Sequence, residues 1–317
     1  MSSFSILITF QIQEFSMARV FCSINGSANL PTSVRCSYSS CYKPMVVKMG
    51  HDQSYRASIE SEIEAHLKKV ISIRPPQSVF EPMHYLTFTT TPKSTASALC
   101  VAACELVGGE RVQAMAAASA IHLMHVATYT HQHMHSSGPK PAIDHKFGPN
   151  IELLTGDGIM AFAIELLAKA MNPARENSNK ILRVITEVTR AVGSQGLLEG
   201  QFREIEWKES GNGDEKLWEY ACKKKEGEIH ACGAACGAIL GDGSDEEVES
   251  LRNYGVYVGI IQGMINGVGK NNYKKRVEEL RIFAMKELQT HFKGKKVRPI
   301  ASLIEESFVP RSQCDLL

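Results

Sequence analysis

Apolar residues recur at helical spacing along most of the chain. Between Tyr55 and Ile73 they fall at intervals of four and three residues, which places them on one face of a helix that stops before Pro75. The same period returns in seven later segments, several of them apolar on more than one side, as in core helices. The sequence therefore predicts an all-α protein. The seven later helices are expected at residues 95–107, 110–130, 151–171, 179–202, 215–240, 244–266 and 273–292.

One helix start and one acidic cluster share an explanation. Ser244 precedes the segment 245–266, and Glu247 follows three residues later, which is the spacing of a capping box. Acidic residues in a first helical turn are also stabilised by the helix dipole. We therefore expect this acidic cluster to start a helix. A divalent-cation site at Asp242 and Asp245 is the alternative.

The first fifty residues differ in composition from the rest. They are rich in serine, contain several basic residues and hold one acidic residue, Glu14. This composition is typical of an organelle transit peptide; a secretory signal is the alternative, although no A-x-A cleavage pattern follows the apolar start. We expect residues 1–50 to be a transit peptide, removed or disordered, and residues 51–317 to form the mature domain.

Charge and cysteine content narrow the class of protein only a little. Lys plus Arg (35) nearly balance Asp plus Glu (34), so nothing points to nucleic acid or an anionic membrane as the main partner. No later stretch offers about twenty uninterrupted apolar residues, so we expect a soluble mature protein. Of nine cysteines, three precede residue 50 and the others lie mostly in predicted helices, which favours reduced thiols.

Five short blocks follow one another along the predicted helices. They are LCVAACELVGG (99–109), HKFG (145–148), LLTGDGIMAFAIELLA (153–168), AVGSQGLLEGQ (191–201) and GAILG (237–241). In order and separation they resemble the trans-isoprenyl diphosphate synthases, most of all the plant geranylgeranyl diphosphate synthase group. The resemblance spans residues 55–305. It implies an all-α, single-domain helical bundle of the isoprenoid synthase type around a central cavity, and a plastid (stromal) location.

Two segments that hold metal-binding aspartates in that family have lost them here. In the family, carboxylates on facing helices hold Mg²⁺ against the leaving diphosphate of an allylic substrate. The positions of the first motif are occupied by Tyr129, Thr130 and His135. The second motif falls within 254–272, a stretch without Asp or Glu, where Gln262 and Asn266 are neutral remnants. The resemblance therefore implies no catalytic residue, no metal and no cofactor in this chain.

Diphosphate-binding residues are reduced as well. The family's glycine-lysine-arginine block aligns with residues 91–97, which keep Lys93 and replace both arginines by small residues. Its lysine-threonine pair appears as Lys225 and Glu226, which puts a negative charge where a diphosphate would sit. Lys93 and Lys225 are thus the residual candidates for diphosphate binding.

Two C-x-x-x-C pairs are a further feature. Cys100 and Cys104 lie one turn apart on one predicted helix, as do Cys232 and Cys236 on another, among alanine and glycine. They resemble the C-x-x-x-C motifs associated with contact between large and small subunits of plant geranyl diphosphate synthases, which makes them candidates for a subunit interface. Small-residue core packing is the alternative. The helix at 111–130 is the broader candidate surface.

The resemblance implies a regulatory, catalytically inactive subunit. Such a chain would bind a catalytic geranylgeranyl diphosphate synthase-like large subunit, in a heterodimer or heterotetramer, and would shift its product to geranyl diphosphate for monoterpene synthesis. Mg²⁺ would belong to the catalytic partner.

Three alternatives stay open. The chain could bind isoprenoid diphosphates without turnover, or act alone as a prenyltransferase with unusual metal ligation, which hard Mg²⁺ disfavours without carboxylates. The third alternative is a Zn²⁺ site at His131, His133 and His135, with His122 or His125 behind them. Alternate spacing suits a strand better than the helix end predicted there.

Overall fold

The computed structural model describes most of the chain after residue 51. The described residues are 52–91, 93, 95–133, 145–172, 174, 176–211, 214–267 and 273–307. They belong to one compact unit, Lys48–Leu317. The predicted transit peptide, residues 1–50, lies outside the described residues, as does His135.

Twelve α-helices account for most of the described residues, none of which lies in a β-strand. The prediction of an all-α fold is thereby confirmed. Within the described residues, no helix is both long enough and apolar enough to cross a bilayer. The helices are α1 Asp52–Val70, α2 Gln77–Tyr85, α3 Thr95–Val107, α4 Arg111–His133, α5 Pro149–Lys169, α6 Ser178–Val192, α7 Leu197–Glu209, α8 Glu215–Cys222, α9 Glu228–Leu240, α10 Asp245–Asn266, α11 Lys274–His291 and α12 Arg298–Ser307.

The sequence pattern misses two short helices and two interruptions. α2 has nine residues with Pro82 inside, and α12 has ten, so neither repeats the apolar period often enough to be recognised. The predicted helix 179–202 is divided into α6 and α7 at the Gly193–Gly196 turn, where glycine has the weakest helix propensity after proline. The predicted helix 215–240 contains a π-helical turn, Lys223–Gly227, between α8 and α9.

Helix α9 forms the centre of the core. It packs against α3, α10, α6 and α4, and its residues 229–240 are all buried. Glycines let α3 approach its backbone closely: a Cβ on Gly233 would lie 2.2 Å from the carbonyl oxygen of Ala96, and one on Gly237 would lie 2.0 Å from that of Cys100. The small residues of both helices are therefore used for direct backbone-to-backbone packing.

A second, smaller core lies between α7, α8, α10 and α11. It is built around the chain's two tryptophans, Trp207 and Trp218, whose rings pack with centroids 4.5 Å apart. Both rings are buried. This pair holds α7 against α8 and so positions the helices on either side of the π-helical turn.

The predicted capping box at the start of α10 is confirmed. The Ser244 hydroxyl oxygen accepts from the Glu247 backbone N–H at 3.2 Å, and the Glu247 carboxylate accepts from the Ser244 N–H at 2.9 Å. These bonds satisfy two backbone donors that a helix start leaves without intrahelical partners.

The neighbouring aspartates pair with α6. Asp242 lies 2.6 Å from the Lys180 ammonium, and Asp245 lies 3.0 Å from the Arg183 guanidinium. Each carboxylate thus has a cationic partner within the chain. This arrangement favours the helix-start interpretation over a divalent-cation site.

The HKFG block forms the entrance to α5. Glu152 is fully buried, and its carboxylate accepts from His145 Nδ1 at 2.6 Å and from the Phe147 backbone N–H at 3.1 Å. Gly148, with φ of 83°, turns the chain into the helix. The buried Glu152 carboxylate therefore holds His145 and Phe147 of the preceding loop against the first turn of α5.

Candidate functional site

The first degenerate motif lies at the C-terminal end of α4. Thr130 is fully buried and its hydroxyl donates to the Val126 carbonyl oxygen at 2.9 Å. The Tyr129 ring stacks on His133, with ring centroids 4.1 Å apart, and His133 Nδ1 lies 2.8 Å from the Tyr129 carbonyl oxygen. These groups are engaged within their own helix. The third position, His135, lies outside the described residues.

The second degenerate motif lies in the last two turns of α10. Asn266 is exposed, whereas Gln262 bonds to Nε2 of the buried His230 of α9, with a separation of 2.9 Å. His230 Nδ1 faces the Glu226 carbonyl oxygen at 2.6 Å and must donate to it, because a carbonyl can only accept. The atom of Gln262 that faces Nε2 is its side-chain oxygen, Oε1. Gln262 thus serves as a structural partner of a buried histidine.

These positions do not fit a magnesium ion. Mg²⁺ takes oxygen ligands, usually from carboxylates, in octahedral geometry. Tyr129, Thr130, Gln262 and Asn266 supply no carboxylate, and two of them are already bonded to backbone or histidine. No group of three or more His, Cys, Asp or Glu side chains in the described part of the chain could hold a metal ion.

The histidines of α4 do not gather into one described site. His131 Nε2 lies 3.3 Å from Asp157 of α5, and His133 stacks on Tyr129. His122 is buried at another level of the helix, where burial lowers its pKa to about 4. The described histidines therefore give the zinc alternative no support; its third ligand, His135, is not described.

Lys93 lines a cavity of about 110 Å³ between α1, α3, α4 and the π-helical turn Leu86–Thr90. The walls combine apolar side chains with Thr, Ser, Glu and His122. The Lys93 ammonium lies 3.5 Å from the Glu60 carboxylate and 3.7 Å from that of Glu64, both on α1. The first residual diphosphate-binding candidate is thus already bound by carboxylates.

Lys225, in the π-helical turn between α8 and α9, is likewise paired. It donates to the Glu204 carboxylate of α7, and the side chains of both residues are largely buried. Burial tends to raise the pKa of Glu204, but Lys225 and Lys208 outweigh that effect, and the pKa is lowered. Both lysines are thus paired with acidic residues of the same chain.

The four C-x-x-x-C cysteines are brought together at the contact between α3 and α9. Cys100, Cys104, Cys232 and Cys236 are buried and reduced. The Cys232 and Cys236 sulfurs lie 3.7 Å apart. Burial raises the pKa of Cys104 to about 12 and holds that of Cys100 well above its ordinary value. The thiols are covered by helices of their own chain. The role of these cysteines at a subunit interface stays a prediction. Because the thiols are buried, they would affect such an interface by setting the positions of α3 and α9.

The exposed apolar surface lies mainly beyond α4. Most of α4 is buried, and Val112 is its exposed large apolar residue within the described chain. Helix α5 exposes Leu154 (66%), with Ile151 and Leu153 beside it. Helix α7 exposes a stripe centred on Phe202 (67%). This exposure does not test the prediction that α4 contributes to an interface. Helices α5 and α7 do expose apolar faces. Sequence periodicity misses them, because the apolar period cannot tell which apolar side of a helix is left uncovered.

The fold and the site together define a class of protein: an all-α bundle with no carboxylate at the described positions Tyr129, Thr130, Gln262 and Asn266. The family model described as polyprenyl synthetase matches residues 76–264. The chain belongs to the polyprenyl synthetase family.

Its relatives include small subunits of heteromeric enzymes. The chain is 51% identical over 281 residues to the chloroplastic heterodimeric geranylgeranyl pyrophosphate synthase small subunit 2 of Cannabis sativa, covering 83% of this chain and 97% of that protein. Among solved structures, the geranyl diphosphate synthase small subunit from Antirrhinum majus is 55% identical with a TM-score of 0.74, covering 80% of this chain and 99% of that chain. A mint deletion mutant of heterotetrameric geranyl pyrophosphate synthase is 50% identical with a TM-score of 0.71, with the same coverage.

Proposed function

We propose that this chain is the regulatory, non-catalytic small subunit of a heteromeric geranyl diphosphate synthase. The observation that carries the proposal is the chemistry at the two motifs, where Tyr129, Thr130, Gln262 and Asn266 replace the metal-binding carboxylates of the enzymes it resembles. Without a metal clamp, the charge on a departing diphosphate is not neutralised. The names of the Cannabis and Antirrhinum small subunits support the same role.

The partner of such a subunit is a catalytic large subunit with intact aspartate motifs. Mg²⁺ belongs to that partner, and the assembly is a heterodimer or a heterotetramer, the two forms named for the Cannabis and mint relatives. The chloroplastic names of the Cannabis and Arabidopsis relatives support a plastid location, and we place the complex in the stroma.

We further propose that the small subunit shifts the partner's product to the ten-carbon geranyl diphosphate. A bound subunit does this by moving helices that bound the partner's product cavity, or by speeding product release. Both act on the populations of states of the other chain. The Antirrhinum and mint proteins are named for geranyl diphosphate synthase, which supports this product.

The alternatives receive less support from the site. An independent prenyltransferase needs Mg²⁺ held by neutral groups, which this hard cation disfavours. A diphosphate carrier needs cations available for its ligand, whereas Lys93 and Lys225 are paired with Glu60, Glu64 and Glu204.

The test is turnover of isopentenyl and dimethylallyl diphosphates with Mg²⁺ by three samples: the mature chain, a catalytic geranylgeranyl diphosphate synthase, and their mixture. We expect no product from this chain alone and a rise in the ten-carbon product in the mixture. Product from the isolated chain would overturn the proposal, as would a mixture that behaves like the catalytic chain alone at all ratios.

A further inference from the structure

Glu60, which lines the cavity, lies between two cations. Its carboxylate accepts from the Arg56 guanidinium at 2.7 Å and lies 3.5 Å from the Lys93 ammonium. Arg56 also donates to the Thr95 hydroxyl at 3.3 Å, at the start of α3. A carboxylate in contact with an arginine and a lysine from different parts of the chain has the surroundings of a bound anion.

A second carboxylate reinforces the first. Glu64, one turn further along α1, lies 3.7 Å from Lys93 and 2.7 Å from Lys68. The hydrogen bond from Lys68 lowers the pKa of Glu64, with Lys93 adding to the effect, so this side chain is ionised at neutral pH. Two negative charges therefore share the positive charge that Lys93 brings to the cavity.

Among the described residues, the rest of the cavity wall adds no positive charge. His122 is buried there and burial lowers its pKa to about 4, so its ring is neutral at pH 7. The other polar groups on the described wall are the uncharged hydroxyls of Thr87, Thr91 and Ser97. A polyanion entering the cavity would meet one lysine against two carboxylates.

We propose that Glu60 and Glu64 act as built-in anions that occupy the cation site at Lys93 and so close this cavity to diphosphates. Lys93 thus belongs to an anion site that side chains of the same chain already occupy. The chain consequently does not compete with a catalytic partner for diphosphate substrates. The inference concerns the isolated chain and holds or fails independently of the proposed partner.

The experiment titrates inorganic pyrophosphate, without metal, into the isolated chain by calorimetry. We expect no saturable binding by the wild type at millimolar pyrophosphate. The double variant Glu60→Gln/Glu64→Gln removes both carboxylates that lie beside Lys93, one of which also accepts from Arg56. It should bind at least about tenfold more tightly than the wild type, because the two removed carboxylates no longer repel the polyanion or pair with Lys93. Added salt should weaken this binding.

Two further variants make the result specific. Adding Lys93→Gln to the double variant should remove the gained binding. Glu62→Gln/Glu110→Gln changes the net charge equally but removes no carboxylate that lines the cavity, and should leave pyrophosphate unbound. The single variant Glu64→Gln, which keeps the Arg56 to Glu60 contact, serves if the double variant loses its circular dichroism signal. Wild-type binding as tight as that of the variants, or a folded double variant with no gain, would overturn the proposal.

Discussion

His122 is a buried histidine whose ionisation is strongly altered by its surroundings. It is buried, and desolvation lowers its pKa from 6.5 to about 4. Because the pKa is lower in the folded chain than in the unfolded chain, His122 binds a proton in the unfolded chain at pH values where it stays neutral in the folded chain. The contribution of His122 to the free energy of unfolding is therefore fully present above about pH 6.5, and it is lost as the pH falls towards 4.

We accordingly predict that the free energy of unfolding falls at acidic pH and that His122 causes a measurable part of this fall. Between about pH 7 and pH 5, His122 should cost the folded chain about 2 kcal/mol of unfolding free energy. Urea unfolding of the wild type and of His122→Gln at both pH values measures this contribution, which the variant should lack. His291→Gln, at an exposed site, is the control and should keep the wild-type pH dependence. Equal pH dependence in all three would contradict the assignment.

Glycine positions on different helices should respond in opposite ways to the same added methyl group. In Gly237→Ala the new Cβ would lie 2.0 Å from the Cys100 carbonyl oxygen, so α3 and α9 must separate. We expect a loss of about 3 kcal/mol in the free energy of unfolding. In Gly158→Ala on α5 the methyl group meets nothing within 4 Å, and the gain in helix propensity should stabilise the chain by about 0.5–1 kcal/mol. Chemical denaturation of both variants tests the pair, and similar effects would refute the close contact of α3 and α9.

At the scale of elements, the contact of α3 with α9 gives the C-x-x-x-C pairs a packing role. A serine hydroxyl in place of a buried thiol brings a group that needs a hydrogen-bond partner, whereas alanine does not. We therefore expect Cys100→Ser/Cys104→Ser to lower the free energy of unfolding by about 2 kcal/mol more than Cys100→Ala/Cys104→Ala does.

Partner binding by the same variants distinguishes packing from direct contact. If the thiols only pack α3 against α9, affinity for the catalytic chain should fall no further than the loss of folded protein explains. Calorimetric affinity and denaturation, measured side by side, provide the comparison. Loss of affinity in a variant of unchanged stability would favour thiols that face the partner.

Element boundaries show where local pattern stops being informative. The long helices α1, α3, α4, α5, α10 and α11 repeat their apolar period over three turns or more and are predicted well. The short helix α2 contains Pro82 and packs against the following π-helical turn, Leu86–Thr90, and against α5. The π-helical turn Lys223–Gly227 is rich in lysine and glutamate, which favour helices, so its extra residue per turn has no signature in sequence.

At the scale of the whole molecule, the exposed apolar face of α5 is the surface we expect the catalytic partner to cover. Leu154→Asp replaces a side chain that is 66% exposed, so it should change the stability of the isolated chain by less than about 0.5 kcal/mol. At a protein interface the same change should weaken binding by about tenfold or more. Val79→Asp, at an exposed apolar site on α2, is the matched control and should bind like the wild type. Binding of Leu154→Asp at wild-type affinity would exclude this face.

The fold class follows from the sequence alone, and the loss of the metal site is predicted from it. Helical periodicity is a local property, and a missing carboxylate is visible as soon as the position of a motif is known. Only the packing of the helices shows which partners the retained lysines have. Lys93 and Lys225 look like diphosphate ligands in sequence, but their charges are taken by Glu60 and Glu204, from other helices. Such pairings depend on how helices distant in sequence are packed, which the apolar period of each helix does not specify.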